Sequence, residues 1–367
     1  MRGQSVRPIV IAAGGTGGHF FPAEALAAEL IQRGHRVALM TDARSGALKS
    51  EVFAGREVFT LRGAVLAGRG LRAVTGALSL VAGTVQARGI LNRLDAAAVV
   101  GFGGYPSVAP VMATRFLRRR PAVMLHEQNA VLGRANRMLM RFADRLALGL
   151  PIQEVTLASV LVGNPVRPAI RALSGQGYAP PEPDGPIHLL VVGGSLGARV
   201  FSDVVPGIVA RLPDALRQRV RVVQQCRAED MARVQDAYAN AGIAAELSTF
   251  FPDMAARLRD AHFVIARAGA GTVAELCVAG RPALLVPLPG AIDGHQTFNA
   301  AASGADLMAQ DLFVNDPDTV LQQLAGCLMD PERLAAMAAA VARNARPDAA
   351  QYLADLVEQH AFAEATP

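Results

Sequence analysis

Residues 9–22 read IVIAAGGTGGHFFP, a β-branched apolar run that meets four glycines and a histidine. An Ala-rich amphipathic stretch, AEALAAELIQRG (23–34), follows, and then a second apolar run, HRVALMTD (35–42). Strand, glycine turn, helix, strand is a βαβ rhythm and implies a parallel sheet covered by helices. Glycines directly after a buried strand let the backbone approach a ligand, often a phosphate. The stretch is echoed by LLVVGGSLGAR (189–199), and a second pair of segments, LDAAAVVGFGGYPS (94–107) and DAHFVIARAGAGT (260–272), echo each other. Buried runs such as IHLLVVGG (187–194) and RPALLVPLP (281–289) keep the same character. The expected fold class is therefore α/β, with two doubly wound, Rossmann-like domains. Ligands of such sheets sit at the carboxyl ends of the strands, so both glycine turns are expected to face one cleft.

The 367 residues are enough for two cores of ordinary size. The expected domains are 1–168 and 169–344, with a terminal helix over about 345–363 packing back onto the first. RALSGQGYAPPEPDGP (171–186), rich in proline, glycine and polar residues, reads as the linker. No run of eighteen apolar residues lacks charge or glycine punctuation, so a spanning helix is not expected. The start, MRGQSVRPIVI, leads straight into a strand without a small-residue cleavage site, which predicts a protein that stays in the cytoplasm.

Cys226, Cys277 and Cys327 stand far apart and read as small buried apolar residues rather than a disulfide framework or a zinc site. Lys49 is the only lysine, which removes a P-loop and disfavours Schiff-base chemistry. Between Val58 and Ala143 twelve arginines stand against Asp95 and Glu127, while the whole chain is only +5, so the rest is net acidic. One face of the N-terminal half is built to meet something anionic.

GGTGGH fails the dinucleotide fingerprint in both registers, because its third glycine would fall on Phe20 or its second on Thr16. GGSLGAR fails as well, and Asp42 alone does not rescue a nicotinamide site. Two matched glycine clusters instead suggest a site for phosphate and a second polar substrate. His19, at the start of the helix and flanked by glycines, is a candidate general base rather than only a turn cap. HEQN (126–129) has Ala130 where a zinc protease needs histidine, and its polar run suggests a strand end offering donors and acceptors. GNPVR (163–167) ends on Arg167, which can reach a diphosphate. ARAGAGTVAEL (266–276) places small residues at a helix start with Glu275 in the first turn, either a dipole-compensating cap or an acceptor for two ribose hydroxyls. Asp316-Pro317-Asp318 formally matches a metal-binding D-x-D, but its setting reads as a helix cap. Leu71, Val74, Leu78, Val81 and Val85 form an apolar stripe, which with TRFLRRRP (114–121) favours a surface lying on anionic lipid over a buried core face.

The ordered motifs GGTGGHFFP, GFGGYPS, HEQN, GNPVR, VVGGSLGAR, RAGAGTVAE and DGHQTFNA resemble the MurG family of bacterial peptidoglycan glycosyltransferases along nearly the whole chain. The resemblance implies a GT-B fold and transfer of N-acetylglucosamine from UDP-GlcNAc to the C4 hydroxyl of the muramoyl sugar of lipid I, undecaprenyl-diphospho-muramoyl pentapeptide. The products would be lipid II and UDP, with inversion and with neither metal nor cofactor. By the same resemblance Thr16, Gly17 and Gly18 would line the substrate cleft, and Asn129 and Gln296 would contact the donor sugar. Arg167 and Ser195 would hold the diphosphate, the backbone at Phe251 would read uracil, Ala270, Gly271, Thr272, Val273 and Ala274 would support the nucleotide, and Glu275 would bind ribose. His19 would be the base, with Glu127 in reserve. Leu196 stands where the family commonly has Gln, Ala268 replaces a serine of some members, and Phe251 replaces an aliphatic residue. The implied setting is the cytoplasmic face of the inner membrane as a peripheral protein, on its anionic surface, with roles in cell shape, division and the cell cycle and with other cell-wall synthesis and division proteins as partners. No nucleic-acid partner is expected, since four tyrosines and no tryptophan offer few stacking platforms. A UDP-GlcNAc 2-epimerase is the alternative enzyme, and it needs no lipid acceptor.

Overall fold

The computed structural model describes residues 7–14, 17–42, 50–61, 71–153, 155–194 and 197–362. The chain forms two compact units, Met1–Arg167 with Pro347–Pro367, and Pro168–Arg346.

In the first unit, the described residues form one seven-stranded parallel sheet. Its strands are β1 (Ile9–Ala12), β2 (Val37–Thr41), β3 (Glu57–Thr60), β4 (Ala98–Gly101), β5 (Ala122–Glu127), β6 (Arg145–Leu148) and β7 (Ser159–Leu161). Their order is β3-β2-β1-β4-β5-β6-β7. All four residues of β1 are fully buried, as a central strand covered on both faces requires. Ile9 and Ile11 point to one face, where Phe20, Ala23, Leu26 and Leu30 of the helix Gly17–Gln32 pack with Leu353 and Val357 of the terminal helix Ala349–Ala361. Val10 points to the other, with Ala87 and Leu91 of the helix Leu71–Leu94. Arg33 fastens the terminal helix to the first, reaching Glu29 at 2.8 Å, Asp355 at 2.6 Å and Glu358 at 2.8 Å. Phe362 stacks on His35 with ring centroids 5.3 Å apart.

The second unit repeats the plan with β8 (Ile187–Val192), β9 (Val220–Gln225), β10 (Ala244–Ser248), β11 (Phe263–Ala266), β12 (Ala283–Leu285) and β13 (Asp306–Leu307), all parallel. Their order is β10-β9-β8-β11-β12-β13. The repeated segments of the sequence thus become adjacent strands: β1 pairs with β4 from Ile9↔Ala98 onward, and β8 with β11 from Phe263↔Leu189 onward. The chain winds outward from β1 and β8 before returning to the other side, so each pair marks a topological switch point, where such sheets bind ligands.

Two expectations need correction. The segment 171–186 is not a free linker but part of the second unit: Leu173 is buried, and Tyr178 donates its hydroxyl to the His262 carbonyl at 2.9 Å beneath the Arg281 guanidinium. Proline-rich composition tells of extended backbone, and extended backbone can be packed as well as free. Glu275 is not in the first turn of its helix, which begins at Ala270 and runs to Ala279. It lies beyond the reach of the helix-end dipole, which removes the capping reason for its presence.

Candidate active site

The first unit gathers its polar groups at the β1/β4 switch. A Cβ on Gly14 would stand 2.8 Å from Thr41 Oγ1 and 3.1 Å from both Asp42 Oδ1 and Pro106 Cγ, so only glycine fits there. Gly17 and Gly18 open the first helix, and Gly18 is exposed with nothing near its Cβ position. Thr16 lies outside the described residues. His19, partly buried, places Nδ1 2.9 Å from the carbonyl oxygen of Phe102, just after β4. Gly103 and Gly104 follow with φ of 77° and 67°, and a Cβ on Gly104 would lie 3.6 Å from His19 Cδ2 and 3.8 Å from Nε2. The turn GFGG therefore holds one imidazole nitrogen by its carbonyl and brings Gly104 against the other edge, where only a glycine keeps a side chain off the ring.

HEQN forms the end of β5, but its first three side chains are buried rather than offered outward. His126 donates from Nε2 to the Gly163 carbonyl at 3.0 Å, and burial pushes its pKa down to about 4. Glu127 is saturated: Oε1 accepts from Asn129 N at 3.1 Å and Asn129 Nδ2 at 3.2 Å, and Oε2 accepts from Gly133 N at 2.8 Å and Asn136 Nδ2 at 2.9 Å. This carboxylate is a loop clamp, which removes the geometric case for it as a reserve base. Asn164 donates to the Gln128 carbonyl at 2.9 Å, and its side chain occupies the space a Cβ on Gly149 would need. HEQN and GNPVR are thus stitched together, a relation no spacing could announce. Arg167 stands 5.9 Å above the ring of Phe21, two residues beyond His19 on the same helix.

The second unit repeats the glycine turn after β8. A Cβ on Gly193 would meet Ala198 N at 2.2 Å, and Gly194 and Gly197 have φ of 85° and 69°. Gly193 N donates to Gln225 Oε1 at 3.1 Å, which ties the turn to the end of β9. The turn leads into the helix Arg199–Ala210, whose first N–H groups are suited to an anion. Ser195 and Leu196 lie outside the described residues. Next to it, at β11, Gly269 caps the helix Ala270–Ala279; Ala270 and Val273 are buried, whereas Gly271, Thr272, Ala274 and Glu275 are partly exposed. Phe251 is buried under Arg257, 5.2 Å from its ring centroid, and Gln296 accepts from Leu288 N at 2.9 Å.

Three residues escaped the sequence reading as individuals. Gln128 and Gln225 lie in polar runs whose members look interchangeable until the partners are seen. Arg267, in the quoted ARAGAGT, is buried and donates to the Val286 and Pro287 carbonyls at 3.0 Å each and to Gln310 Oε1 at 2.6 Å. An arginine one residue past a buried strand was its available signal. Among the described residues no group of three His, Cys, Asp or Glu side chains could hold a metal ion.

Two doubly wound units, each with a glycine turn at its switch point, define the GT-B class of glycosyltransferases. Residues 9–148 match the glycosyltransferase family 28 N-terminal domain and residues 188–353 the family 28 C-terminal domain, so the chain belongs to glycosyltransferase family 28. It is 56% identical to the UDP-N-acetylglucosamine--N-acetylmuramyl-(pentapeptide) pyrophosphoryl-undecaprenol N-acetylglucosamine transferase of Granulibacter bethesdensis, over 98% of this chain and 95% of that protein. The protein of the same name from Acidiphilium cryptum is 51% identical over 97% of this chain and 98% of its own length. Among solved structures, Acinetobacter baumannii MurG superposes with a TM-score of 0.78 at 29% identity, covering 96% of this chain and 99% of that one. A UDP-GlcNAc 2-epimerase from Neisseria meningitidis shares the fold, with a TM-score of 0.65 at 10% identity and 96% and 100% coverage.

Proposed function

We propose that this chain transfers N-acetylglucosamine from UDP-GlcNAc to the C4 hydroxyl of the muramoyl sugar of lipid I, with inversion, releasing UDP and lipid II. Its family and the names of its relatives support glycosyl transfer over the epimerase reading. The observation that carries the mechanism is the His19 imidazole. A carbonyl oxygen can only accept, so the Phe102 contact calls for a proton on Nδ1 and leaves Nε2 as the basic nitrogen. Nε2 takes the proton of the acceptor hydroxyl as that oxygen attacks the anomeric carbon from the face opposite the leaving UDP. Negative charge developing on the diphosphate is met by the N-terminal dipole of the helix Arg199–Ala210 and by Arg167, with Ser195 as a further ligand. Asn129 and Gln296 contact the sugar, and Thr16, Gly17 and Gly18 line the acceptor side. The Phe251 backbone reads uracil, residues 270–274 support the nucleotide, and Glu275 takes the ribose hydroxyls.

The acceptor is a lipid, and no helix among the described residues is long and apolar enough to cross a membrane. Leu78, Val81 and Val85 of the helix Leu71–Leu94 are 65%, 61% and 64% exposed. Phe116 is 59% exposed beside them, its carbonyl accepting from Arg88 Nε at 3.0 Å, and Arg115, Arg118 and Arg119 are exposed next to it. Such a rim of arginine around apolar side chains suits a peripheral protein on the anionic cytoplasmic leaflet of the inner membrane, where lipid I would be met. On this reading the enzyme serves cell-wall synthesis, and through it cell shape and division. The test is UDP release from UDP-GlcNAc with and without lipid I. Release that requires the lipid, and that His19→Ala lowers by about 10²–10⁴, is expected, since general-base assistance is typically of that size. A loss under about tenfold refutes the assignment of the base.

A further inference from the structure

Gln128 is buried at the end of β5, and its amide Nε2 lies 2.9 Å from His19 Nδ1 and 3.5 Å from the Phe102 carbonyl oxygen. Nδ1 thus has two close neighbours, Phe102 O at 2.9 Å and the Gln128 amide at 2.9 Å. They make opposite demands. The carbonyl needs a proton on Nδ1, whereas an NH2 group needs a lone pair there. The carbonyl is fixed by the backbone after β4 and cannot change its role, but a primary amide offers its oxygen instead of its nitrogen by turning end for end. Gln128 is itself anchored for this, because its own carbonyl is held by Asn164 Nδ2 at 2.9 Å and the neighbouring Glu127 is clamped by its four donors.

We propose that Gln128 is the positioning residue that sets the His19 tautomer. With Oε1 turned to Nδ1, the Nδ1 proton is shared between two acceptors and Nε2 keeps its lone pair for the acceptor hydroxyl. When Nε2 takes that proton, the imidazolium that forms keeps both acceptors at Nδ1. The hydroxyl O–H bond breaks, the Nε2–H bond forms, and the proton later leaves Nε2 to water. With Nε2 of the amide turned to Nδ1, the imidazole holds its proton on Nε2 and cannot act as a base. A buried amide would so do, without charge, what a carboxylate does behind other functional histidines. The inference rests on the reading of His19 as the base.

The test uses the full chain and three variants: Gln128→Leu, Gln128→Glu and His19→Ala. Nitrogen NMR of the ring-labelled protein without substrate reports the tautomer directly, with the His19 signals identified by their loss in His19→Ala. The expected result is a proton on Nδ1 in the parent and a mixed or reversed tautomer in Gln128→Leu. The lipid-dependent kcat of Gln128→Leu should fall about 10- to 100-fold, the size typical of removing an outer partner of a functional histidine, while KM for UDP-GlcNAc stays within about twofold. In Gln128→Glu the carboxylate favours the imidazolium, so the acidic limb of the pH–rate profile should move to higher pH while activity at alkaline pH is kept. An unchanged tautomer in Gln128→Leu, or an unmoved acidic limb in Gln128→Glu, overturns the proposal. If His19→Ala retains turnover, the reading of the base fails instead; if it loses turnover while both Gln128 variants behave as the parent, only the present inference fails.

Discussion

Replacing Glu127 with glutamine separates a clamp from a chemical participant. In the native protein each carboxylate oxygen accepts two hydrogen bonds, Oε1 from Asn129 N and Nδ2, and Oε2 from Gly133 N and Asn136 Nδ2. Glutamine keeps one oxygen, but its NH2 group then faces two N–H donors that have lost their acceptor. A buried donor left without a partner costs about 1–3 kcal/mol. Two of them amount to about 2–6 kcal/mol, and the lost charge on the remaining bonds adds to this. At about 2–4 °C per kcal/mol for a unit of this size, the unfolding transition of the first unit should fall by at least about 4 °C. Measured well below that transition, kcat should fall by less than about tenfold, since half of the clamp is kept. Calorimetry and the UDP-release assay on one preparation give both values. An unshifted transition together with a kcat loss of about 10²–10⁴, the mark of a missing general base, refutes the clamp and returns Glu127 to the chemistry.

Gly104→Ala should cost about 1–3 kcal/mol in thermal unfolding, because φ 67° with ψ 173° is a conformation essentially reserved for glycine; a stability equal to the parent refutes this. Arg33→Ala should cost about 1–2 kcal/mol, discounted for the partial exposure of its partners, by removing the tie between Glu29 of the first helix and Asp355 and Glu358 of the terminal helix; faster hydrogen exchange confined to 349–361 and the first helix is the readout. His126 has a folded pKa near 4 against an ordinary 6.5, so the unfolded chain binds the proton more readily. Its contribution is present above about pH 6.5 and is lost as the pH falls toward 4, by about 3 kcal/mol in all; His126→Gln should flatten that part of the stability profile. Changing Arg118, Arg119 and Arg120 together to Glu should abolish sedimentation with anionic vesicles, and unchanged sedimentation refutes the membrane surface. Arg119 and Arg120 pair with Asp95 and Asp144, so a stability measurement must accompany it.

The glycine turns were legible because their cause is local. At Gly14 and Gly193 a side chain has no room between the strand end and the atoms packed on it from the same βα unit or its neighbour. The helix cap at Asp316 was legible for the same reason: its side chain accepts from Thr319 N three residues on. The Gly-x-Gly-like pattern, by contrast, could not say which nitrogen of His19 is basic. That depends on Phe102 and Gln128, which stand 83 and 109 residues away. HEQN reads as a strand end offering donors and acceptors because four polar residues in a row follow an apolar strand. Three of them are buried because Gly133, Asn136, Gly163 and Asn164 return to satisfy them.

Local periodicity and turn chemistry belong to the sequence, so two parallel α/β units, their glycine turns and the position of His19 could be read from residues 9–22 and their echo. Burial and the pairing of donors with acceptors belong to the tertiary structure, because they are settled only when strands far apart in sequence lie side by side. The pairing of β1 with β4, and of β4 with β5, brings the Phe102 carbonyl and the Gln128 amide to one imidazole nitrogen. The same packing turned a proline-rich stretch into part of the second unit and left Leu78, Val81 and Val85 facing outward.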